Sequence, residues 1–407
     1  MNSHASIWAA ARGTLLAGSL TAVVWSALVF ALLMIALLVP IVHLFVPPFA
    51  IATAAAFIYS VSWTAYLLCG CESHGHIFLP LAPYRCILVC RAVYEYLKAS
   101  VSLIQYAITA IRSHPPETSN IKYAMPFHRR TLDVYPAANG APVIVLVPSF
   151  MHPIYITGSK RAYVPLAQKL NQNGYCVVVP DIRYSTDQRL RRAIIDLRLV
   201  LSWVGAHIEG YGGASNRIYT LGHGLSAHLA LITVVQEAAV LSQGLNGYDL
   251  SSSRPPSAVL GDTSVDINAL EIYAAQIRLP QLRGLVLISG VYDVIKAYHN
   301  ETTRGVERLS LLRRMAGPSL TKCLQHSPAH ILASAYKILD HHFLPSRVLI
   351  MHGGNDHVSS IDHATLLHTQ LEEAGVETVE LCAVRSAGHL DLLTSVHDSA
   401  ALSDFIV

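Results

Sequence analysis

The stretch from Tyr219 to Ala230 reads Tyr-Thr-Leu-Gly-His-Gly-Leu-Ser-Ala-His-Leu-Ala and decides the fold. An apolar run from Ile218 to Leu221 leads into it, and a helical pattern from Leu225 to Leu241 follows it. A buried strand, a sharp turn and a helix of small residues form the local structure that presents a catalytic side chain at the edge of a parallel sheet. The sequence therefore predicts a strand–turn–helix elbow with Gly224 at its tip.

Short apolar runs of strand length recur on both sides of this elbow. Amphipathic patterns of helical length separate most of them, as expected of parallel strands that are joined by helices. Strands that are buried on both faces read as continuous apolar runs. The predicted strands cover residues 143–147, 176–179, 218–221, 284–288, 348–351 and 379–384, and the predicted helices cover 163–173, 187–208 and 225–241. The pattern predicts an α/β fold with a doubly wound, mostly parallel sheet.

Two side chains with catalytic chemistry follow the last two predicted strands. Asp356 ends the segment Met351-His-Gly-Gly-Asn-Asp, and His389 lies in Ser386-Ala-Gly-His-Leu-Asp. Ligands of such sheets gather beyond the carboxyl ends of the strands, so we expect both side chains near the elbow. The chain order of elbow, acid and histidine is that of the α/β-hydrolases.

Five further motifs support this fold. They are Leu132-Asp-Val-Tyr-Pro136, Asp181-Ile-Arg183, Tyr211-Gly-Gly-Ala-Ser-Asn-Arg-Ile-Tyr219, Ala227-His-Leu-Ala230 and Ser289-Gly-Val-Tyr-Asp293. With them, the chain from about Leu132 to Leu393 resembles the isoprenylcysteine methylesterase branch of the carboxylesterase-type α/β-hydrolases. The resemblance implies an α/β-hydrolase fold with an N-terminal membrane anchor. It also implies that Asp356 is the acid of a catalytic triad and that His389 is the general base.

The nucleophile departs from the pattern of the family. Family members read Gly-x-Ser-x-Gly at the elbow, whereas this chain has Gly224 in place of the serine and Ser226 in place of the last glycine. Nucleophilic catalysis needs a side-chain oxygen or sulfur within reach of the base, and glycine has neither. Glycine adopts the strained elbow backbone more easily than serine does. We therefore expect a pseudo-hydrolase, whose fold is kept and whose serine mechanism is lost or severely weakened.

Two alternatives stay open at this point. Ser226 could act as the nucleophile with His389 and Asp356, although it lies two residues into the predicted helix; otherwise it is a small residue that caps the helix start. The chain could instead be a membrane scaffold without catalysis.

The loop that should stabilise an oxyanion is also altered. Esterases of this type place a glycine-rich loop after an early strand so that backbone amides approach the developing charge. This chain has Pro148-Ser-Phe-Met-His-Pro153 there, and proline has no amide hydrogen. The remaining candidate donors are Ser149 and Phe150, together with Leu225 directly after the elbow.

The N-terminal part predicts a membrane anchor. No Asp, Glu, Lys or Arg occurs between Gly13 and Cys71, and a membrane-spanning helix needs about 20 apolar residues. We predict an anchor over residues 1–115, with spans at about 14–45 and 49–69 and an amphipathic helix at about 86–111; a short third span remains open. The hydrolase domain then covers residues 116–407. Arg12, Arg85, Arg91 and Lys98 flank the hairpin and favour a cytosolic face, in the endoplasmic reticulum or another endomembrane.

Composition excludes other functions. The net charge is only +3 and no basic run exceeds two residues, which argues against a nucleic-acid partner. The spacing of Cys69-Gly-Cys-Glu-Ser-His-Gly-His76 is irregular, so we predict no metal, and no motif indicates a cofactor. Residues 244–266 are rich in Ser, Gly, Pro and Asp and predict a surface insertion. The expected partners are the lipid bilayer and an apolar or ester ligand.

Overall fold

The computed structural model describes residues 2–36, 46–69, 79–124, 130–149, 160–182, 189–246, 265, 270, 272–310, 315–317 and 319–406. The chain divides into two compact units. One comprises Met1–Lys98 and Tyr298–Ser310, and the other comprises Ala99–Ala297 and Leu311–Val407.

Apolar helices build the first unit. Helix α1 spans Asn2–Ala36, α2 spans Val46–Cys69, and α3, which spans Pro83–Arg112, begins in this unit. Residues 37–45, the end of the first expected span, lie outside the described residues. Inside the α1–α2 pair the Thr64 hydroxyl donates to the Ser19 hydroxyl at 3.0 Å. The two apolar helices therefore pack against each other through a satisfied polar contact.

The first unit also holds a segment from much later in the chain. The Arg85 side chain forms an ion pair with Glu307, and the carboxylate of Glu307 is almost completely buried. Gly305 packs against Leu88. These contacts lie within the unit that comprises Met1–Lys98 and Tyr298–Ser310. The boundary expected near residue 115 from the sequence stays a prediction.

The described part of the second unit contains an eight-stranded sheet. Its order is β1-β2-β4-β3-β5-β6-β7-β8, with antiparallel pairs at β1–β2 and β2–β4 and parallel pairs elsewhere. The strands are β1 Ile121–Lys122, β2 Thr131–Tyr135, β3 Ala141–Val147, β4 Cys176–Pro180, β5 Gly213–His223, β6 Gly284–Ile288, β7 Arg347–Gly353 and β8 Thr378–Val384. Their Val, Ile and Leu content suits burial on both faces. The predicted mostly parallel sheet is confirmed.

Helices cover both faces of this sheet. The helices after β3 include α4 Val164–Gln172, α5 Arg189–His207, α6 Leu225–Asn246, α7 Val294–Thr303, α8 Leu320–Gln325, α9 Pro328–Ala335, α10 Asp362–Glu373, α11 Asp391–Ser395 and α12 Ala400–Ile406. One buried apolar cluster packs between the sheet and α5, α6, α9 and α10, and a second packs against α4, α11 and α12. The doubly wound architecture of an α/β-hydrolase follows from the two covered faces.

Some element bounds differ from the sequence expectation. Strand β5 starts at Gly213, five residues before the apolar run, and α6 continues to Asn246, into the predicted insertion. Residues 247–264 of that insertion lie outside the described part of the chain. The strand reaches back to Gly213 because Gly213 still pairs with Ala141 of β3, beyond an irregularity in the register.

Gly222 allows the closest approach of strand and helix at the elbow. A Cβ atom there would lie 2.5 Å from the Ser226 carbonyl oxygen and 2.6 Å from the Ala227 nitrogen, both backbone atoms. Real Cβ contacts are never this short, so any side chain at this position must displace α6.

We expect Gly222→Ala to lower the free energy of unfolding by about 1–3 kcal/mol or more, because the added methyl group overpacks the elbow. Gly244→Ala is the matched control, since it lies in the same helix α6 and its added Cβ meets no atom within 4 Å. That change should raise stability by up to about 1 kcal/mol through helix propensity. Denaturant unfolding of the full chain in detergent micelles measures both; equal effects would contradict this account of the elbow.

Candidate active site

The elbow backbone is held on both sides of Gly224. Strand β5 ends at His223, Gly224 has a φ of +58°, and α6 begins at Leu225. The Gly224 amide donates to the Ile288 carbonyl at 2.8 Å, and its carbonyl accepts from the His228 amide at 3.2 Å. Main-chain contacts therefore fix the turn without any side chain at its tip.

The tip of the elbow faces the imidazole of His389. A Cβ atom built on Gly224 would lie 3.3 Å from His389 Nε2 and 3.9 Å from Ser149 Oγ. A serine at this position would thus have its hydroxyl beside Nε2, as nucleophilic catalysis requires. Gly224 occupies the position of the nucleophile and supplies no oxygen.

Asp356 orients this imidazole from its other side. It follows β7, whereas His389 follows β8, and His389 Nδ1 donates to Asp356 Oδ2 at 2.8 Å. The other carboxylate oxygen accepts from the amides of Val358 at 2.8 Å and Ser359 at 2.9 Å. Because Nδ1 is bonded to the carboxylate, Nε2 is the ring nitrogen that faces the elbow.

The carboxylate stays charged although its side chain is completely buried. Burial raises the pKa of Asp356, but the attraction of the His389 ring and the hydrogen bonds from His389, Ser359 and Val358 outweigh it and hold the pKa at about 2. The pair therefore keeps the charge that stabilises a protonated imidazole in general-base catalysis.

Ser226 has different partners. Its side chain is fully buried, and its Oγ accepts from the His223 amide at 2.9 Å and donates to the His223 carbonyl at 3.0 Å. A hydroxyl has one hydrogen, and here it is directed to the main chain instead of to His389. Ser226 closes the turn ahead of α6, a contact that the sequence does not reveal.

The backbone amides predicted as oxyanion donors differ in what they contact. The Ser149 amide donates to the Tyr163 hydroxyl at 2.8 Å, so the Ser149 hydroxyl is the group that remains near the elbow. Leu225 is the first residue of α6, where backbone amides lack intrahelical acceptors. Phe150 lies outside the described residues.

Comparison with known proteins now identifies the family. A family model described as BD-FAE matches residues 132–371, more than half of the chain. The chain belongs to the BD-FAE family. Its fold and relatives make it an α/β-hydrolase of the carboxylesterase type that resembles isoprenylcysteine methylesterases, and the resemblance read from the sequence is confirmed.

Two relatives are similar in sequence to part of this chain. The isoprenylcysteine alpha-carbonyl methylesterase ICME of Arabidopsis thaliana is 23% identical over 267 residues, which cover 65% of this chain and 54% of the relative. The probable carboxylic ester hydrolase LipM of Mycobacterium tuberculosis is 28% identical over 148 residues, which cover 36% of this chain and 33% of the relative. The chain therefore matches about a third to about half of the length of these relatives.

A solved structure shares the fold. Inhibited esterase B from Lactobacillus rhamnosis superposes with a TM-score of 0.52 at 15% sequence identity, covering 79% of this chain and 93% of that chain. At this identity the similarity concerns the arrangement of strands and helices.

Two buried histidines on either side of the elbow in the sequence are neutral. His223 Nε2 donates to the His389 carbonyl at 2.7 Å, and His228 Nδ1 donates to the Val291 carbonyl at 2.6 Å. Burial, followed by repulsion from the His389 ring, lowers the pKa of His223 to about 3, and burial lowers the pKa of His228 to about 4. Their charged forms are excluded from the interior, so they serve as fixed donors at neutral pH.

Three metal-capable side chains come together elsewhere among the described residues. Asp340, His341 and His342 lie before β7, at the amino edge of the sheet, and both histidines are exposed. The active-site pair lies at the carboxyl edge, so this group is not part of the site. Residues 70–78, which include most of the Cys-Gly-Cys segment, lie outside the described residues.

We expect acid to destabilise the protein below about pH 6.5. Burial lowers the pKa of His223, His228 and His363 from the ordinary 6.5 to about 3, 4 and 4, so below pH 6.5 the unfolded chain binds more protons than the folded one. The three neutral histidines contribute their full stabilisation above pH 6.5. As the pH falls toward 4 this stabilisation is lost, by up to about 1.4 kcal/mol per pH unit for each histidine.

Denaturant unfolding of the full chain at pH 7.5, 6.5 and 5.5 measures this slope. His228→Gln should remove the contribution of one proton from this slope. A free energy of unfolding that is constant from pH 7.5 to 5.5 would contradict the prediction.

Proposed function

We propose that this protein is a membrane-anchored α/β-hydrolase-fold protein of the carboxylesterase type that has lost the serine mechanism and binds an apolar or ester ligand. The observation that carries the proposal is the position of Gly224. Its Cα lies where a side chain would meet His389 Nε2 at 3.3 Å, and it brings no oxygen to that contact. An acyl-enzyme needs such an oxygen, so the two-step mechanism of serine esterases cannot start here.

The alternative nucleophile is disfavoured by its contacts. For Ser226 to attack an ester, its Oγ would have to leave both hydrogen bonds with His223 and move out of a fully buried position. Losing two such bonds costs about 1–3 kcal/mol for each buried group that is left unpaired. An active hydrolase that uses Ser226 with His389 and Asp356 therefore needs a rearranged elbow.

A plain scaffold is the third candidate. In a scaffold without a ligand, a completely buried carboxylate with three hydrogen-bond donors would have no function. Burying such a group without function gains nothing in stability, because a well-packed apolar residue would serve as well. The Asp356–His389 pair therefore favours a site that still binds a polar group of a ligand.

Membrane anchoring rests on the first two helices. Gly13–Ile35 in α1 and Pro47–Leu68 in α2 are long and apolar enough to cross a bilayer. Trp25, Leu32 and Ile51 expose their side chains, which in water would leave a large apolar surface uncovered. A third candidate, Leu225–Gly244, is mostly buried because it is the core helix α6. We infer two spans in an endomembrane such as the endoplasmic reticulum, with the hydrolase domain in the cytosol.

Gly224→Ser should restore a reactive serine. The atoms nearest to its Cβ would be those of the His389 ring and the Ser149 hydroxyl, and the elbow already has the required turn. We expect a fluorophosphonate probe to leave the natural chain unlabelled and to label Gly224→Ser, with labelling lost in Gly224→Ser/His389→Ala. Ser226→Ala is the matched control and should not remove label from Gly224→Ser. A labelled natural chain that loses its label in Ser226→Ala would establish the alternative.

For the anchor, we expect the full chain to stay in the membrane pellet after alkaline carbonate extraction. In sealed microsomes, added protease should digest the domain from residue 116 onward, because the flanking charges Arg12, Arg85, Arg91 and Lys98 favour the cytosolic side. Extraction into the supernatant would refute the spans, and protection from protease would reverse the orientation.

A further inference from the structure

Polar atoms line the space beside the Cα of Gly224. The Cβ position there is 3.3 Å from His389 Nε2 and 3.9 Å from Ser149 Oγ. A water oxygen keeps about 3.3 Å from a Cα atom, so a water bound here would lie beyond this Cβ position, on the side of His389 Nε2 and Ser149 Oγ. An ordered water needs two to four polar partners, and these two groups supply two of them.

The contact with Asp356 fixes which nitrogen of His389 faces this space. Nδ1 is bonded to Asp356 at 2.8 Å, so Nε2 is the nitrogen directed at the elbow and at a water bound there. Asp356 remains ionised and would stabilise the imidazolium that forms when Nε2 takes a proton. The pair is thus complete as a general base without a serine.

Ser149 is held rigidly at the opposite wall. Its amide donates to the Tyr163 hydroxyl at 2.8 Å, Tyr163 is itself buried, and Pro148 restricts the backbone before it. The residue is almost completely buried, yet its hydroxyl lies beside the elbow. A hydroxyl both donates and accepts hydrogen bonds, so it can position a water molecule whose proton goes to His389.

We propose that this space binds a water molecule and that His389 activates it to hydrolyse a carboxylic ester directly, without an acyl-enzyme. The inference rests on the proposed function, an ester-binding hydrolase fold without a nucleophilic serine. Ser149 is a positioning residue in this reaction, and His389 is the catalytic base.

The reaction balances with ester and water alone. Nε2 takes a proton from the water as its oxygen forms a bond to the acyl carbon, and the carbonyl π electrons move to the carbonyl oxygen. The tetrahedral intermediate then re-forms the carbonyl and breaks the bond to the alkoxy oxygen. The imidazolium returns its proton to the departing alkoxide, so the products are a carboxylic acid and an alcohol.

Gly224→Ala tests the water site directly. Its methyl group would occupy the space at 3.3 Å from Nε2 without supplying an oxygen, and Gly224→Ser, if labelled by the fluorophosphonate, establishes that the fold accepts a Cβ there. The assay follows p-nitrophenyl butyrate hydrolysis by the full chain in detergent micelles, with intact-protein mass spectrometry to detect an acyl adduct.

We expect the natural chain to hydrolyse the ester above the buffer rate without an adduct. Gly224→Ala and His389→Ala should each lower the rate by about 10²-fold, the usual contribution of a general base. Ser149→Ala should lower the rate several-fold and lower kcat rather than raise KM. His342→Ala, at an exposed histidine of the opposite sheet edge, should change nothing.

The results that would overturn the inference differ in whether they also refute the proposed function. A natural chain no faster than buffer, or a Gly224→Ala rate equal to the natural one, removes the water site but leaves an ester-binding protein without a serine mechanism. An acyl adduct on the natural chain, whether mapped to Ser149 or to Ser226, removes both proposals.

Discussion

One backbone conformation, the φ of +58° at Gly224, connects β5 to α6 and determines what the site can do. The turn is closed by main-chain contacts to Ile288 and His228 and by the Ser226 hydroxyl. None of these contacts involves a side chain at the tip. Serine in this backbone region is strained by about 1–2 kcal/mol relative to glycine. Glycine therefore suits this elbow better than serine would, although it supplies no side-chain oxygen.

The catalytic pair depends on the sheet rather than on the elbow. Asp356 and His389 follow neighbouring parallel strands, β7 and β8, so the register of the sheet brings them together whatever residue occupies position 224. The His389 ring, together with the amides of Ser359 and Val358, keeps the carboxylate charged inside the protein. Base and acid can thus remain in place after the nucleophile is lost, and a different attacking group can use them.

The sequence predicts those parts of the fold whose signals are local. The continuous apolar runs locate the parallel strands, and the order of elbow, acid and histidine predicts which loops meet. Strand β2 has no such signal, because Asp133 interrupts its apolar residues and is compensated by Lys160, 27 positions later, at 2.6 Å. The Arg85–Glu307 pair of the first unit likewise has no local signal, because it joins distant parts of the chain.

Ser226 shows where pattern reasoning stops at the site. Its spacing permits either a displaced nucleophile or a capping residue, and only the three-dimensional turn reveals that its hydroxyl closes back on the His223 main chain. Ser149 is similar, since its amide is engaged by Tyr163, a partner that no motif indicates. In both cases the sequence identifies the residue but leaves the direction of its hydrogen bonds open.

The ring of His389 faces position 224, and this position carries no side-chain oxygen. The ¹⁵N resonance of His389 Nε2 in histidine-labelled protein, assigned with His389→Gln, tests this arrangement. We expect this resonance to move in Gly224→Ser, through a new hydrogen bond, and to move far less in Ser226→Ala. A resonance that responds to Ser226→Ala and not to Gly224→Ser would contradict it.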